Sequence, residues 1–445
     1  MDHDQADKLR NNSSEIAEIL SALSHESRLF ALSFLIDGEK ELKFLIEKTG
    51  LSKNGLVNHL STLMDAGLVE RVSRGKYRLT KDGAGYVSDM VDQYLVSERY
   101  RAKRQRIDTT MYQWRIQTVD EKIVSKPAEF KPSWFSYQGA VQGVLNSHGV
   151  EIGLTEVVAV SGYGWITNAM KKHLCPSAPS AFHSDVWSNI YNATEALGYK
   201  IEVIKSGIFE WDENQKPTPE SAKNADKQYK AVKKEINADR PVVMWGIPIP
   251  EYGIVNGYRG EEYIVSTFRR LLEQPDTPIH YTGLMAPGGL CILRFTEPIQ
   301  TDPKQVAAET LKLGYKLGTG DVPQIPEYVL GPEAYDVLAN NLTEEPLDEN
   351  SHHGTGYTLA CLMEGKHCVA EYLKKINPLI NVELVGISEK YSTVYQILNM
   401  CHEIFPLGPG EMPEKNRIET ADYLRQAKKI EVDALEDLQI VLEAI

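Results

Sequence analysis

Over the first eighty residues, short helical rows of apolar side chains alternate with glycine stops. Ile16, Ile19, Leu20 and Leu23 keep helical spacing, and Leu29, Leu32 and Leu35 continue it until Gly38. Leu42, Leu45 and Ile46 predict a short helix closed at Gly50, and Ser52 is placed to cap the next one. That helix puts Leu56, Leu60, Leu63 and Met64 on one face and stops at Gly67. Between Leu68 and Leu79, apolar and polar residues alternate about a Ser73-Arg74-Gly75 turn, which predicts a β-hairpin. A further helix over about 82–105 carries Val87, Met90, Val91, Tyr94 and Leu95 at dimer-seam spacing, then the basic tract SERYRAKRQR.

Residues 107–130 read as a connector, and from 131 the texture becomes mixed α and β. A helix near 137–149 precedes the glycine- and aromatic-rich VSGYGWI and the loop CPSAPSAF. Short strands are expected at about 200–205, 241–247, 252–257, 262–266 and 291–295, with a charged helix over 219–237. From about 303 the pattern is helical, with segments near 303–315, 332–342, 355–374, 390–404 and 416–443. No internal repeat or low-complexity tract interrupts it.

Charge changes this picture. The 445 residues carry a net charge of −14, but residues 1–106 hold 17 basic and 16 acidic side chains. Within them, 53–106 hold 11 basic and 6 acidic, so a basic stretch precedes a strongly acidic body. No apolar run reaches the roughly 18–20 residues of a membrane span. The polar, acidic start is unlike a signal or transit peptide. The five cysteines, Cys175, Cys291, Cys361, Cys368 and Cys401, form no CxxC pair. Together these features point to a cytoplasmic location.

Three helices and a hairpin with an arginine at its tip describe a winged helix-turn-helix. With Leu56, Leu60 and Leu63 buried, the outward face of the third helix offers Lys53, Asn54, Asn58 and Ser61 to base edges in a major groove. Arg71, Arg74, Lys76 and Arg78 on the wing would neutralise phosphates, which positions the protein without reading sequence. The runs LSALSHESRLFALSFL and IEKTGLSKNGLVNHLSTLMDAGLVERVSRGKYRLT resemble an ArsR-type winged-helix transcriptional regulator over residues 15–95. That resemblance implies a homodimer on a near-palindromic double-stranded operator. The metal-sensing cysteine motif of many such regulators is absent, since no cysteine precedes Cys175.

Residues 131–296 resemble the papain-like domain of the peptidase C39 and butirosin-biosynthesis acyltransferase type, through FSYQGAVQGVLNSHG, RPVVMWG and EYGIVNGYRGEEYIVSTF. The resemblance places the family's cysteine at Ser136, its histidine at Glu251 or Tyr252 and its acid near Ser266. None keeps the triad chemistry, which needs a thiolate, a histidine in reach and a group orienting that histidine. No histidine lies between His183 and His280. The expectation is therefore a catalytically degenerate fold, not an enzyme, kept for its cleft. Trp134, Phe135, Tyr137, Tyr163, Trp165, Trp245 and Tyr252 would line that cleft, with Ser136, Gln138, Glu251 and Asn256 as polar anchors for a small-molecule effector.

The C-terminal segment adds His352, His353, Cys361, His367, Cys368, Cys401 and His402. Of these, His353, Cys361, Cys368, Cys401 and His402 are the candidates for a zinc or haem-iron site, although their spacing matches no standard zinc pattern. No cofactor is otherwise implied. The expected fold class is multidomain: a winged helix-turn-helix (1–106), the connector (107–130), an α+β papain-like domain (131–296) and an α-helical module (297–445). The expected function is a one-component DNA-binding regulator that senses a small ligand. The alternatives are an acyltransferase or amidohydrolase using Ser136, and a metal-, haem- or redox-responsive regulator.

Overall fold

The computed structural model describes residues 3–97, 120–213, 216–344, 347, 350–380 and 382–444. The chain divides into two units, Met1–Thr118 and Val119–Ile445, and among the described residues every strand pair is antiparallel.

In the first unit, α1 (His3–Asn11), α2 (Ser13–Leu23), α3 (Glu26–Leu35), α4 (Leu42–Thr49) and α5 (Lys53–Asp65) precede a hairpin, and α6 (Lys81–Val96) follows it. The hairpin pairs β2 (Val69–Ser73) with β3 (Lys76–Leu79), and a two-residue β1 (Lys40–Glu41) adds to β3. Ser52 caps α5, its hydroxyl accepting the Gly55 amide at 3.1 Å. Gly75 takes φ +79° at the hairpin turn, a conformation that strains any residue with a Cβ. Leu32, Leu35, Leu45, Leu56, Leu60 and Leu63 close the core between the helices. Val87 also lies in this core, whereas Val91 and Tyr94 are exposed. The basic tract after Ser97 falls outside the described residues.

The second unit is built on a seven-stranded sheet. Its strands are β4 (Glu121–Ile123), β6 (Tyr199–Gly207), β7 (Val242–Trp245), β8 (Tyr252–Arg259), β9 (Glu262–Ser266), β10 (Ile279–His280) and β11 (Leu290–Pro298). They run in the order β10-β9-β8-β7-β11-β6, with β4 on β8, while a separate ladder joins β5 (Asn168–Met170) to β12 (Tyr328–Leu330). The helices are α7 (Ser136–Ser147), α8 (Leu154–Val160), α9 (Ser184–Thr194), α10 (Pro219–Asn237), α11 (Pro303–Thr319), α12 (Glu333–Thr343), α13 (Ser351–Ile376), α14 (Val385–Ile404) and α15 (Glu414–Ala444). α10 covers Val242, Met244, Val255 and Ile292 with Ala225, Tyr229, Val232 and Ile236.

Two boundaries read from the sequence do not survive. The expected connector lies outside the described residues over 107–119, but beyond them β4 joins the sheet and Val124, Ala128 and Phe130 are buried. Nor does the chain separate near 297. One core holds Val157, Trp165 and Phe295 together with Leu311, Val369 and Leu438. The reason is α13, which is buried along most of its 26 residues and packs on α8 and the Tyr163–Trp165 turn as well as on α14.

That burial includes charge. Lys366 on α13 and Glu431 on α15 are both fully buried, with Lys366 Nζ 2.7 Å from Glu431 Oε1 and 3.0 Å from the Trp165 carbonyl it donates to. The Tyr335 hydroxyl donates to the other carboxylate oxygen at 2.6 Å. Removing one partner of such a pair strands the other charge in a dry interior, whereas removing both with apolar replacements does not. Lys366→Met should therefore destabilise the protein by about 3–5 kcal/mol, and Lys366→Met/Glu431→Leu should recover most of that loss. Denaturant unfolding of the three proteins tests this; a double variant no more stable than the single would contradict it.

Candidate functional site

On the first unit, α5 presents Lys53, Asn54, Asn58 and Ser61 to solvent while Leu56, Leu60 and Leu63 on its other side are fully buried. The hairpin adds Arg71, Arg74 and Arg78, all exposed, and the half-buried Lys76. These four cations are not equivalent. Arg78 pairs with Glu70 at 2.6 Å, Lys76 with Glu39 at 3.3 Å, and Arg71 Nε donates to the Ser73 carbonyl at 3.2 Å. Arg74, at the tip, has no partner among the described residues. Exposed pairs of this kind are weak, so Lys76 and Arg78 can exchange them for a phosphate at small cost. Sequence reasoning missed His59 beside this face, packed at a tilt against His25 with ring centroids 4.6 Å apart. Burial holds the His59 imidazole below its usual value, with the neighbouring His25 and Arg28 charges adding to the effect.

On the second unit, the chemistry gathers at the start of α7. Ser136 is the first residue of that helix and is 5% exposed. Its hydroxyl donates to Glu251 Oε2 and accepts the Tyr252 amide at 3.0 Å. The positions that the papain resemblance assigns to nucleophile and base are thus joined directly. Tyr357 on α13 donates to the second Glu251 oxygen at 2.6 Å. Two turns along the same helix, Glu364 Oε2 accepts the Ser133 hydroxyl at 2.7 Å and the Phe135 amide at 3.2 Å. Cys361 lies between them, its thiol 3.7 Å from the Trp134 carbonyl. Tyr357, Cys361 and Glu364 therefore form one stripe of α13 at i, i+4 and i+7, laid over residues 133–136.

Desolvation pushes the Glu251 carboxyl up to about 7, against the Ser136 and Tyr357 hydrogen bonds, which pull it down. Glu364 is likewise pushed up to about 7 by desolvation, opposed by Ser133 and the Phe135 and Trp134 amides. Burial also raises the Cys361 thiol, with both carboxylates adding to the effect. Tyr357 and Glu364 were not singled out from sequence. The available signal was a tyrosine and a glutamate seven apart within an otherwise apolar helical pattern.

The expected ligand cleft is not open. Trp165 is fully buried, its indole donating to the Ala159 carbonyl at 3.1 Å and its ring against Tyr391. Tyr137 donates to Thr194 and packs on Trp187, Tyr191 and Tyr252. Tyr252 shares a 2.8 Å hydrogen bond with Tyr191, and the partly buried Trp245 donates to the Pro287 carbonyl. Gln138 is buried against Ser161. Tyr163 donates to the Pro179 carbonyl, packs on Phe135, and with Phe182 and Cys361 borders an enclosed cavity of about 10 Å³. That is room for at most one water. Trp134 remains partly buried between Phe268, Tyr357 and His402. Asn256 and Ser266 do different work, tying the 128–130 segment to the sheet through the Ala128 backbone and the Phe130 amide. Aromatic packing has closed what the sequence suggested was a pocket. A groove of about 550 Å³ lies elsewhere, around Phe130, Lys131 and Arg270, and there Lys131 pairs with Glu129 and Arg270 with Glu129 and Asp276.

The Cys/His candidates do not converge either. Cys361 and Cys368 belong to the core around α7 and α8, Cys401 to the separate core among α12–α15, and the His352 ring bonds the Gly408 carbonyl at 2.8 Å. His353 is exposed, and His402 lies against Trp134. Among the described residues no three His, Cys, Asp or Glu side chains are grouped to hold a metal ion. No helix there is long and apolar enough to cross a membrane.

No family model matches this chain, and no curated protein matches it.

Both carboxyls bind their protons more tightly folded than unfolded, because their folded values lie above the ordinary 4.5. The stability they contribute is fully present below about 4.5 and is lost as pH rises through about 7. Glu251→Gln cannot ionise, so its stability relative to wild type should rise across that window, by about 1–3 kcal/mol. Unfolding midpoints of the two proteins from pH 4.5 to 8 test the sign. A variant that loses ground as pH rises would show that Glu251 is stabilised as the anion.

Proposed function

We propose that the chain is a one-component DNA-binding regulator. In this reading the first unit is an ArsR-type winged helix that binds double-stranded DNA as a homodimer, and the second is a degenerate papain-like body that responds to an effector. The observation that carries it is the two-sided α5. Its leucine row is buried, its Lys53, Asn54, Asn58 and Ser61 face solvent, and a hairpin whose Arg74 has no partner among the described residues lies in the same small unit. Base readout needs hydrogen-bonding side chains on an exposed helix, and phosphate contact needs uncommitted cations. The exposed Val91 and Tyr94 on α6 supply apolar surface for a second copy.

The two classes of residue should separate in a binding titration. Arg74→Ala should weaken binding to every duplex and flatten the salt dependence by about one unit of slope. Asn58→Ala should relax sequence preference, each lost base contact costing about 1–3 kcal/mol. Unchanged affinity of Arg74→Ala at every salt concentration would remove the hairpin from the interface.

A second reading, acyl transfer by Ser136, has one observation in its favour: a carboxyl pushed up to about 7 is a better base than an ordinary glutamate. Against it, Ser136 is sealed, its oxygen accepts the Tyr252 amide, and among the described residues no histidine bonds either group. A fluorophosphonate probe should leave Ser136 unlabelled in the intact protein. Stoichiometric labelling that disappears in Glu251→Gln would replace the regulator body with an enzyme.

A further inference from the structure

The groove beside Phe130 holds about 550 Å³, the size of a small-ligand site. Its walls are the 129–132 segment and the loop over 270–276. The first wall is pinned to the core, the Phe130 amide donating to the Ser266 hydroxyl and the Lys131 amide to the Gly139 carbonyl at 3.1 Å. The second is held by Asp276, 13% exposed, whose Oδ1 accepts the Thr267 amide at 2.9 Å and the Thr267 hydroxyl at 2.7 Å. Asp276 Oδ2 accepts Arg270 Nε at 3.0 Å and so holds the guanidinium from one side. Nη1 meets Glu129 at 2.6 Å, while Nη2 has no partner among the described residues. Lys131 reaches the other Glu129 oxygen at 3.1 Å. Both cations therefore converge on one carboxylate that is 58% exposed, and exposed pairs of this kind are held loosely.

Glu273 is the third acid of the groove. It closes the Phe268–Leu272 turn at φ +54°, a left-handed conformation that glycine adopts without strain. Its carboxylate has no partner among the described residues. We propose that this groove binds a small zwitterion, with the ligand's carboxylate on Arg270 and Lys131 in place of Glu129 and its ammonium on Glu273. A guanidinium held from its Nε side presents a planar fork that matches a carboxylate. Two cations against three carboxylates leave the groove net acidic. That balance disfavours a phosphate dianion and favours a ligand that brings a positive charge of its own. Glu129 is the built-in competitor, which the ligand's carboxylate must displace. As a ligand site the groove stands without the regulator reading; as the site of the regulator's effector it rests on that reading.

The test uses glycine, γ-aminobutyrate and ε-aminocaproate, which set carboxylate and ammonium at increasing separations. Binding to the full chain is read by saturation-transfer NMR. At least one of the three should bind at millimolar concentration, and the tightest should bind better than caproate, pentylamine or inorganic phosphate. Arg270→Gln should weaken that probe by about tenfold or more, through loss of a charge-assisted pair. Glu129→Gln should tighten it by about two- to fivefold, because the exposed pairs no longer have to be broken; a misfolded variant cannot produce a gain. Glu273→Gln should weaken the zwitterion and leave caproate unchanged. Failure of all three probes overturns the site, and so does wild-type affinity in Arg270→Gln. Equal affinity for caproate, or stronger binding of phosphate, overturns the zwitterion. The effector role has its own arm, affinity for a mixed-sequence duplex with and without the tightest probe at saturation. Unchanged duplex affinity upholds the site and overturns that role, whereas a chain that binds the probe and no duplex upholds the site and overturns the regulator reading.

Discussion

The start of α7 has to be buried, and that constraint organises the second unit. A helix leaves its first amide groups without intrahelical partners, and in a dry interior each needs an acceptor from elsewhere. Here the Phe135 amide is met by Ser133 and Glu364, while the Ser136 hydroxyl is held by Glu251. Two of these acceptors, Glu251 and Glu364, are carboxyls, and desolvation favours the neutral form of a carboxyl. The helix is thus seated by groups whose charge state is balanced near neutrality.

α13 follows from the same constraint. It supplies Glu364 and Tyr357 to the start of α7, and about half a turn further round it sends Lys366 to Glu431 and the Trp165 carbonyl. Between these two attachments Gly365 comes close to Gly164, where a Cβ would meet the Gly164 carbonyl oxygen at 3.1 Å. The two attachments differ physically. Lys366 and Glu431 form a buried ion pair, whereas among the described residues Glu251 and Glu364 have hydroxyl and amide donors and no cation. With both attachments inside the core, α13 cannot be treated as a lid laid over a finished domain.

The first unit was legible because its signals are local. Helical spacing of leucines, the Ser52 cap and the Gly50, Gly67 and Gly75 stops each act within a few residues, and α3–α5 and the hairpin lie where those signals put them. The body was legible only in outline. Ser136 and Glu251 could be paired by resemblance, but Tyr357 and Glu364 reach them from more than a hundred residues away, and no periodicity records such a contact. The aromatic residues misled for a related reason. Composition shows that Tyr137, Tyr163, Trp165 and Tyr252 are abundant near the site; only packing decides whether they line space or fill it, and Trp187 and Tyr191 from α9 fill it. Cys361 was noticed as a metal ligand, yet it faces the Trp134 carbonyl.

The central claim is that two carboxyls at the start of α7 keep their protons up to neutrality. Infrared difference spectroscopy of the protonated-carboxyl carbonyl stretch reads this directly, comparing wild type with Glu251→Gln/Glu364→Gln from pH 4 to 9. The account predicts a two-carboxyl signal in the wild type that is absent from the variant and titrates away with a midpoint at about 7. A signal already gone by pH 5.5, as for carboxyls at their ordinary value, would contradict it.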